Sequence, residues 1–114
     1  MIIMPKQDKT IEFIKKHFEF PSNNSEDIIS YIREDGELEK IICDLPEIIS
    51  KEFPQSPISL DFTKYSLSDE MELEISIKTP YDGETTSDKK DVILNEIFTN
   101  YASPEKYYFI SMDF

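Results

Sequence analysis

Two residue types that often perform acid–base or nucleophilic chemistry occur once each in this chain of 114 residues, as His17 and Cys43. A cysteine becomes an effective nucleophile when a neighbouring histidine takes its proton, so this pair could act only if the helices that carry the two residues meet. The alternative is a small buried apolar side chain at Cys43 and a partly exposed helix residue at His17. We favour this second interpretation.

Carboxylates are the other groups that could perform chemistry, because calcium and magnesium take oxygen ligands. Asp69-Glu70 and Asp82-Gly83-Glu84 supply such groups, but neither follows an EF-hand or another specific spacing. One cysteine and one histidine cannot build a structural zinc site, and two glycines are too few for a phosphate-binding loop or a dinucleotide fingerprint. We therefore expect no metal, no cofactor and no enzymatic activity.

The charge of the chain is strongly unbalanced, with 24 acidic residues against 12 lysines and arginines and a formal net charge of -12. Residues 1–20 hold four lysines against three acids, so the remaining residues carry -13. Such a field repels phosphate backbones and attracts basic surfaces. We expect no direct binding of nucleic acid, and a basic protein as the partner.

Other features of the composition indicate one cytoplasmic domain over residues 1–114. A single cysteine cannot form an intramolecular disulfide, and the apolar start, Met1 to Pro5, is too short for a signal peptide. No later segment approaches the length of a membrane span, so we expect no membrane partner. Residues 1–8 are interpreted as an arm that is flexible or binds a partner.

Apolar residues at helical spacing predict three stretches of helix outside the centre of the chain. The first covers residues 9–18, and the second begins with Ser25 as its cap. Gly36 is expected to end the second helix in the C′ position, where a positive φ costs little. A last helix is expected over residues 87–101, after a loop at residues 79–86 that contains Pro80 and Asp82-Gly83.

The central apolar stretch from Leu38 to Phe53 keeps helical spacing through Pro46. Proline lacks a backbone donor and clashes with the preceding turn, so the stretch forms either one kinked helix or two short helices. We favour two helices, the second beginning near residues 44–46, because proline is well tolerated in a first turn. The same apolar side is buried in both cases.

Alternation of apolar and polar residues predicts the strands. Residues 58–63 and 71–78 alternate with a period of two, and residues 106–114 form a third, more aromatic run. Residues 65–70 fit a hairpin connection. Helices followed by β-β-α-β predict an α+β fold, with a small, mostly antiparallel three-stranded sheet and the helices packed on one face.

The order of the strands is less constrained by the pattern. We favour the first strand between the other two and antiparallel to both. If the last strand instead runs parallel to the second, the crossover through the last helix is expected to be right-handed. No internal repeat accompanies these elements.

From Leu45 to Tyr108 the chain resembles a family of small uncharacterised bacterial proteins. The matching features are Leu45-Pro46 with Phe53 downstream, the alternating strand from Leu73 to Thr79, an amphipathic helix, and the aromatic pair Tyr107-Tyr108. The family tends to end in tryptophans where this chain has tyrosines. The resemblance covers more than half of the chain and implies no established activity, so it assigns no functional residue.

The outward side of the predicted sheet is the best candidate for a binding surface. If Leu73 and Ile75 face the helices, Glu72, Glu74 and Ser76 face outward, together with Asp61 and Thr63 of the neighbouring strand. The third strand adds either Tyr107 and Phe109 or Tyr108 and Ile110. Exposed aromatics supply contact area, while carboxylates attract a partner rich in lysine or arginine. The candidate partner-binding residues are Asp61, Glu72, Glu74, Tyr107 and Phe109.

Three functions follow from these observations. The leading one is a non-enzymatic acidic module that binds a basic protein, such as an antitoxin, an immunity protein or an inhibitor. The second is a small metal-dependent hydrolase, with acids converging in a cleft between the helices and the sheet. The third is a self-associating structural subunit, a homo-oligomer that uses the third strand as an edge or the apolar N-terminal segment as an arm.

Overall fold

A computed structural model describes residues 6–64, 71–79 and 83–113. The α+β fold class predicted from the sequence is confirmed, with helices first and β-β-α-β afterwards. The elements in chain order are α1 (Lys6–His17), α2 (Ser25–Arg33), α3 (Gly36–Glu52), β1 (Ile58–Lys64), β2 (Met71–Lys78), α4 (Gly83–Asn100) and β3 (Tyr108–Asp113).

The sheet is mixed, with strand order β1-β2-β3. Strand β2 pairs antiparallel with β1 and parallel with β3, so the favoured arrangement with the first strand in the centre was wrong. The lengths of the elements explain the parallel pairing. Helix α4 spans about 27 Å, close to the length of β2, so it returns the chain to the end of the sheet where β2 began.

Helix α3 is continuous from Gly36 to Glu52 with Pro46 inside it, so the preferred division into two short helices was wrong. Proline in a helix interior removes one hydrogen bond and disfavours helix by about 3 kcal/mol relative to alanine. Burial of the apolar side offsets this cost, at roughly 25 cal/mol for each Å² of apolar surface removed from water. The buried residues are Leu38, Ile41, Ile42, Leu45, Ile48 and Ile49.

Gly36 was predicted to end the second helix, but it is the first residue of α3. Helix α2 ends at Arg33, with Glu34 as its C-cap in the right-handed helical region, so no positive φ is needed there. Asp35 is the N-cap of α3, and its carboxylate accepts hydrogen bonds from the backbone N–H groups of Glu37 and Leu38. A carboxylate at this position satisfies donors that the first turn leaves unpaired.

Three further boundaries differ from the prediction. Ser25 is the first residue of α2 and not its cap, because the N-cap is Asn24, which forms no side-chain cap hydrogen bond. Helix α4 begins at Gly83, four residues before the expected start, so residues 83–86 are helical where a loop was predicted. Helix α1 begins at Lys6, which shortens the expected N-terminal arm, because residues 6–8 are helical. The predicted hairpin at residues 65–70, the turn residues 80–82 and residues 1–5 of the arm lie outside the described residues.

The core lies between the helices and one face of the sheet, as predicted. From the strands it contains Ile58, Leu60, Leu73, Ile75, Ile77 and Ile110, and from the helices isoleucines and leucines of α1 to α4. The alternating burial along β2 follows from the pleat, which sends successive side chains to opposite faces. Among the helices described, none has both the length and the apolarity to cross a bilayer.

Candidate protein-interaction face

The face of the sheet opposite the helices carries polar and aromatic side chains, none of which is buried. We call this surface the open face. Pairing in register brings its residues together from all three strands. Its members are Ser59, Asp61 and Thr63 of β1, Glu72, Glu74, Ser76 and Lys78 of β2, and Phe109 and Ser111 of β3.

Glu74 lies at the centre of the open face. It pairs in register with Asp61 on one side and with Phe109 on the other, so three of the predicted site residues form one row across the sheet. One carboxylate oxygen accepts a hydrogen bond from the Thr63 hydroxyl at 3.4 Å, and the other accepts from the Ser111 hydroxyl at 3.0 Å. Glu74 therefore links the three strands through two side-chain hydrogen bonds.

Asp61 has a structural role besides its place in the row. Its carboxylate accepts hydrogen bonds from the Ser22 hydroxyl at 2.6 Å and from the Asn24 amide at 3.3 Å, and so holds the α1–α2 connection against β1. Partial burial acts to raise the pKa of Asp61, but these bonds and one from the Phe62 N–H outweigh it, and the pKa lies below its usual value of 3.8. Fewer acceptor positions of the Asp61 carboxylate are therefore available to a partner.

The remaining predicted residues lie toward one end of the sheet. Glu72 pairs in register with Thr63 and is partly exposed. Tyr107 directly precedes β3 and is 49% exposed, and its carbonyl accepts hydrogen bonds from the Leu73 N–H at 3.0 Å and the Tyr31 hydroxyl at 2.7 Å. Tyr107 is therefore at the rim of the open face, whereas Phe109 is within it.

The choice between the two aromatic sets of the third strand is decided by its register. Tyr108 pairs with Leu73 and Ile110 pairs with Ile75, and both of these β2 residues are fully buried under the helices. Ile110 belongs to the core, and Tyr108 packs against it. Burial raises the pKa of the Tyr108 phenol. Phe109 is thus the aromatic residue that β3 presents to the open face.

The ion pairs of the described residues all lie outside the open face. Within the described part of the chain, no salt bridge involves Asp61, Glu72 or Glu74. Lys78 lies on the same face, at the end of β2 away from Glu72. Four acids on the helices and their connections do have cationic partners, while others, such as Asp88 and Asp91, have none among the described residues. These pairs are Arg33–Glu39 at 3.7 Å, Lys40–Glu37 at 3.7 Å, Lys51–Glu96 at 3.4 Å and Lys106–Glu34 at 2.8 Å.

His17 and Cys43 show no arrangement of a nucleophilic pair. The His17 ring packs on Phe13 within α1, with ring centroids 4.3 Å apart, and the side chain is exposed. Cys43 is half-buried in α3, and burial, with the charges of Glu39 and Asp44, raises the pKa of its thiol. A raised pKa lowers the thiolate fraction at neutral pH and therefore the reactivity of the cysteine.

Because His17 is exposed, we expect His17→Ala to lower the free energy of unfolding by less than about 1 kcal/mol, mainly through the lost contact with Phe13. Urea denaturation followed by circular dichroism measures this difference. A loss of several kcal/mol would contradict the exposed placement of the ring.

The described ranges also contain further acidic side chains and a cavity between two helices. No group of three histidine, cysteine or acidic side chains there is positioned to hold a metal ion. A cavity of about 510 Å³ lies between α1 and α2, with an apolar floor that includes Ile11 and Ile29. Its rim carries Lys15 and Arg33 together with Glu26 and Glu34, so charges of both signs offset each other and favour no charged ligand.

Sequence reasoning missed two contributors to the open face. Ser111 bonds Glu74 and lies 3.1 Å from the Ser76 hydroxyl, an arrangement that depends on the parallel register of β3. The link from Asp61 to Ser22 and Asn24 was missed because it joins positions far apart in the chain. A signal was present in the polar run from Ser22 to Ser25, whose amides and hydroxyls need acceptors.

Comparison with protein-family models, with curated proteins and with solved structures finds no match to this chain. The resemblance of residues 45–108 to a family of small bacterial proteins stays a prediction. Function is therefore argued from the geometry and the charges of the open face.

Proposed function

We propose that this protein is a non-enzymatic interaction module whose open face binds a basic protein, in the manner of an antitoxin, an immunity protein or an inhibitor. The observation that carries the proposal is the placement of Glu72 and Glu74, carboxylates without a cationic partner among the described residues, on the same face as Phe109. A lysine or arginine of the partner supplies the missing charge.

The rigidity of Glu74 supports this role. Its two hydrogen bonds, to Thr63 and Ser111, fix the carboxylate before a partner arrives, so less side-chain entropy is lost on binding. The ring of Phe109 is next to it in register and offers a surface over which a cation is attracted. The net charge of -12 adds a long-range attraction that accelerates encounter with a basic protein and weakens as salt is added.

A pair of variants with matched charge tests the proposal. In Glu72→Gln/Glu74→Gln the charge is removed, while the amide at position 74 keeps one oxygen to accept from one of the Thr63 and Ser111 hydroxyls and an NH2 group that donates to the other. The control, Asp88→Asn/Asp91→Asn, removes the same charge from exposed positions of α4. The three proteins are immobilised, exposed to native lysate at low salt and eluted with a salt gradient.

We expect the wild-type protein and the control to retain a basic protein in stoichiometric amount. The affinity of that protein for Glu72→Gln/Glu74→Gln should be lower by at least about tenfold. Affinities are measured by calorimetry once the captured protein has been identified. If the captured protein binds Glu72→Gln/Glu74→Gln and the wild-type protein with equal affinity, the interface lies elsewhere. If no basic protein is captured at any salt concentration, the proposed function is wrong.

A further inference from the structure

The two edges of the sheet differ in how their backbone groups are satisfied. At the outer edge of β1, Glu19 forms a parallel bridge with Ser59. The Glu19 N–H donates to the Ile58 carbonyl at 2.8 Å, and the Leu60 N–H donates to the Glu19 carbonyl at 2.8 Å. The chain that leaves α1 therefore blocks the β1 edge to any further strand.

The outer edge of β3 has no such cover within the described ranges. The Leu73 N–H donates to the Tyr107 carbonyl, and in a parallel pair this fixes which residues of β3 direct their backbone groups toward β2. These are Phe109, Ser111 and Asp113. The alternate residues, Tyr108, Ile110 and Met112, direct their N–H and C=O groups away from β2, and no backbone hydrogen bond from a described residue reaches them.

Strand β3 also lacks the features that proteins use to protect an edge. Natural edge strands are blunted by lysine, by proline or by a bulge. The run from Tyr108 to Met112 contains no lysine and no proline, and its register with β2 continues from Leu73 to Lys78 without a bulge. This edge is therefore a template for one more extended segment.

The charge of the chain favours a basic segment over a second copy as the occupant. Two copies would each bring a net charge of -12 to a shared sheet, and the open face of each would meet like charge. A basic segment instead neutralises charge. In an added strand, alternate residues point to the open face beside Phe109 and Ser111. A lysine or arginine at such a position reaches the Phe109 ring of the adjacent strand β3 and the Glu74 carboxylate of β2.

The other residues of such a segment point to the helix side of the sheet. They lie beside Tyr108, Ile110 and Met112, which pack in or against the core. Apolar residues fit there, since they extend the existing core. The segment recognised therefore alternates basic and apolar residues.

We propose that the free edge of β3 binds an extended segment of a basic protein, in which lysine or arginine alternates with apolar residues, as one further strand of the sheet. This inference rests on the proposed function, because it specifies how the partner reaches the open face. It adds backbone hydrogen bonds of Tyr108, Ile110 and Met112 to the charge pairing with Glu74.

A short synthetic peptide in which valine and lysine alternate is the probe, used with the full chain. Amide hydrogen exchange is followed by NMR with and without the peptide. We expect exchange at Tyr108, Ile110 and Met112 to slow by about tenfold or more when the peptide binds. Phe109 and Ser111 serve as internal controls, because their amides point toward β2 and are protected in both states.

Two N-methylated peptides separate strand addition from simple charge attraction. One carries a methyl group on every valine nitrogen and the other on every lysine nitrogen, so both keep the charge. In an added strand only one of these sets donates to β3, so one peptide should lose binding while the other keeps it. The set that matters also reports whether the segment runs parallel or antiparallel to β3.

A variant of the protein blocks the edge directly. Met112→Pro removes an N–H that points away from β2, so the pairing with β2 is kept while the edge loses a donor. We expect the variant to keep its circular dichroism spectrum and to lose the peptide.

Other results would overturn strand addition. These are equal binding of both methylated peptides, binding without slower exchange at the three amides, or no binding of the unmethylated peptide. The lysate capture with Glu72→Gln/Glu74→Gln tests the proposed function separately. If that variant fails to retain a basic protein that the wild-type protein captures, the proposed function is supported even though strand addition is wrong. A dimer in sedimentation, with the same amides protected without peptide, would assign the edge to a second copy.

Discussion

Leu73→Ala is expected to lower the free energy of unfolding by roughly 2 to 5 kcal/mol. Leu73 is 0% exposed, lies in the central strand and pairs with Phe62 on one side and Tyr108 on the other. Removing its side chain leaves a cavity, because the neighbouring residues of two strands and of the helices can move only partly into the space. Urea denaturation measures the loss, which is a large share of the roughly 5 to 15 kcal/mol typical of a domain.

The control is the adjacent residue of the same strand. Glu72→Ala changes a partly exposed side chain of the open face, so we expect it to cost less than about 1 kcal/mol. Ile97→Ala tests the same core from α4, since Ile97 is 1% exposed, and it should match Leu73→Ala in magnitude. Equal costs for Leu73→Ala and Glu72→Ala would contradict the assignment of the two faces of β2.

Asp35→Ala is expected to lower the free energy of unfolding by roughly 2 to 4 kcal/mol, because one carboxylate joins two distant parts of the chain. One oxygen caps α3 through the N–H groups of Glu37 and Leu38, at 3.0 and 3.3 Å. The other accepts from the N–H groups of Glu105 and Lys106, at 2.6 and 2.9 Å, and so fixes the segment that leads into β3.

A matched substitution separates this role from the loss of a charge. Asp27→Ala removes an exposed acid from the first turn of α2, where the helix dipole stabilises it and no described residue forms an ion pair with it, and should cost less than about 1 kcal/mol. Chemical denaturation of both variants at neutral pH gives the comparison. A cost for Asp35→Ala no greater than that for Asp27→Ala would mean that its four hydrogen bonds contribute little.

The contribution of Asp35 should also depend on pH. Partial burial acts to raise its pKa, but the four backbone N–H groups outweigh burial and hold the pKa below the usual value of 3.8. A carboxyl with a lowered pKa in the folded state stabilises fully above its unfolded pKa and loses that contribution as pH falls through the folded pKa. The difference between the wild-type protein and Asp35→Ala should therefore shrink as pH falls below about 3.8.

Several features of the fold could be predicted because their signals are local. The alternation from Met71 to Lys78 assigns each side chain of β2 to one face, since the pleat allows only two directions. That pattern alone placed Glu72 and Glu74 on the surface away from the helices. The apolar spacing of α3 likewise identified its buried side whether or not the helix continued through Pro46.

Helix boundaries were predicted less well because each signal has competing interpretations. The pair Asp35-Gly36 contains both a residue that ends helices and a residue that begins them. Asp35 also accepts hydrogen bonds from the N–H groups of Glu105 and Lys106. These residues are far away in sequence, so no local pattern predicts the contact. At Pro46 a local cost opposed burial in the core, and burial prevailed because both halves of the helix contribute buried residues to the same core.

The sequence by itself determined the fold class, the two faces of β2 and the acidic character of the open face, because these depend on periodicity and composition. The tertiary structure alone decided the strand order, the outward position of Phe109, the bonds of Glu74 with Ser111 and the uncovered edge of β3. These depend on which strands become neighbours. That choice follows from how α4 spans the sheet and how residue 19 covers the opposite edge, contacts between segments that no local pattern encodes.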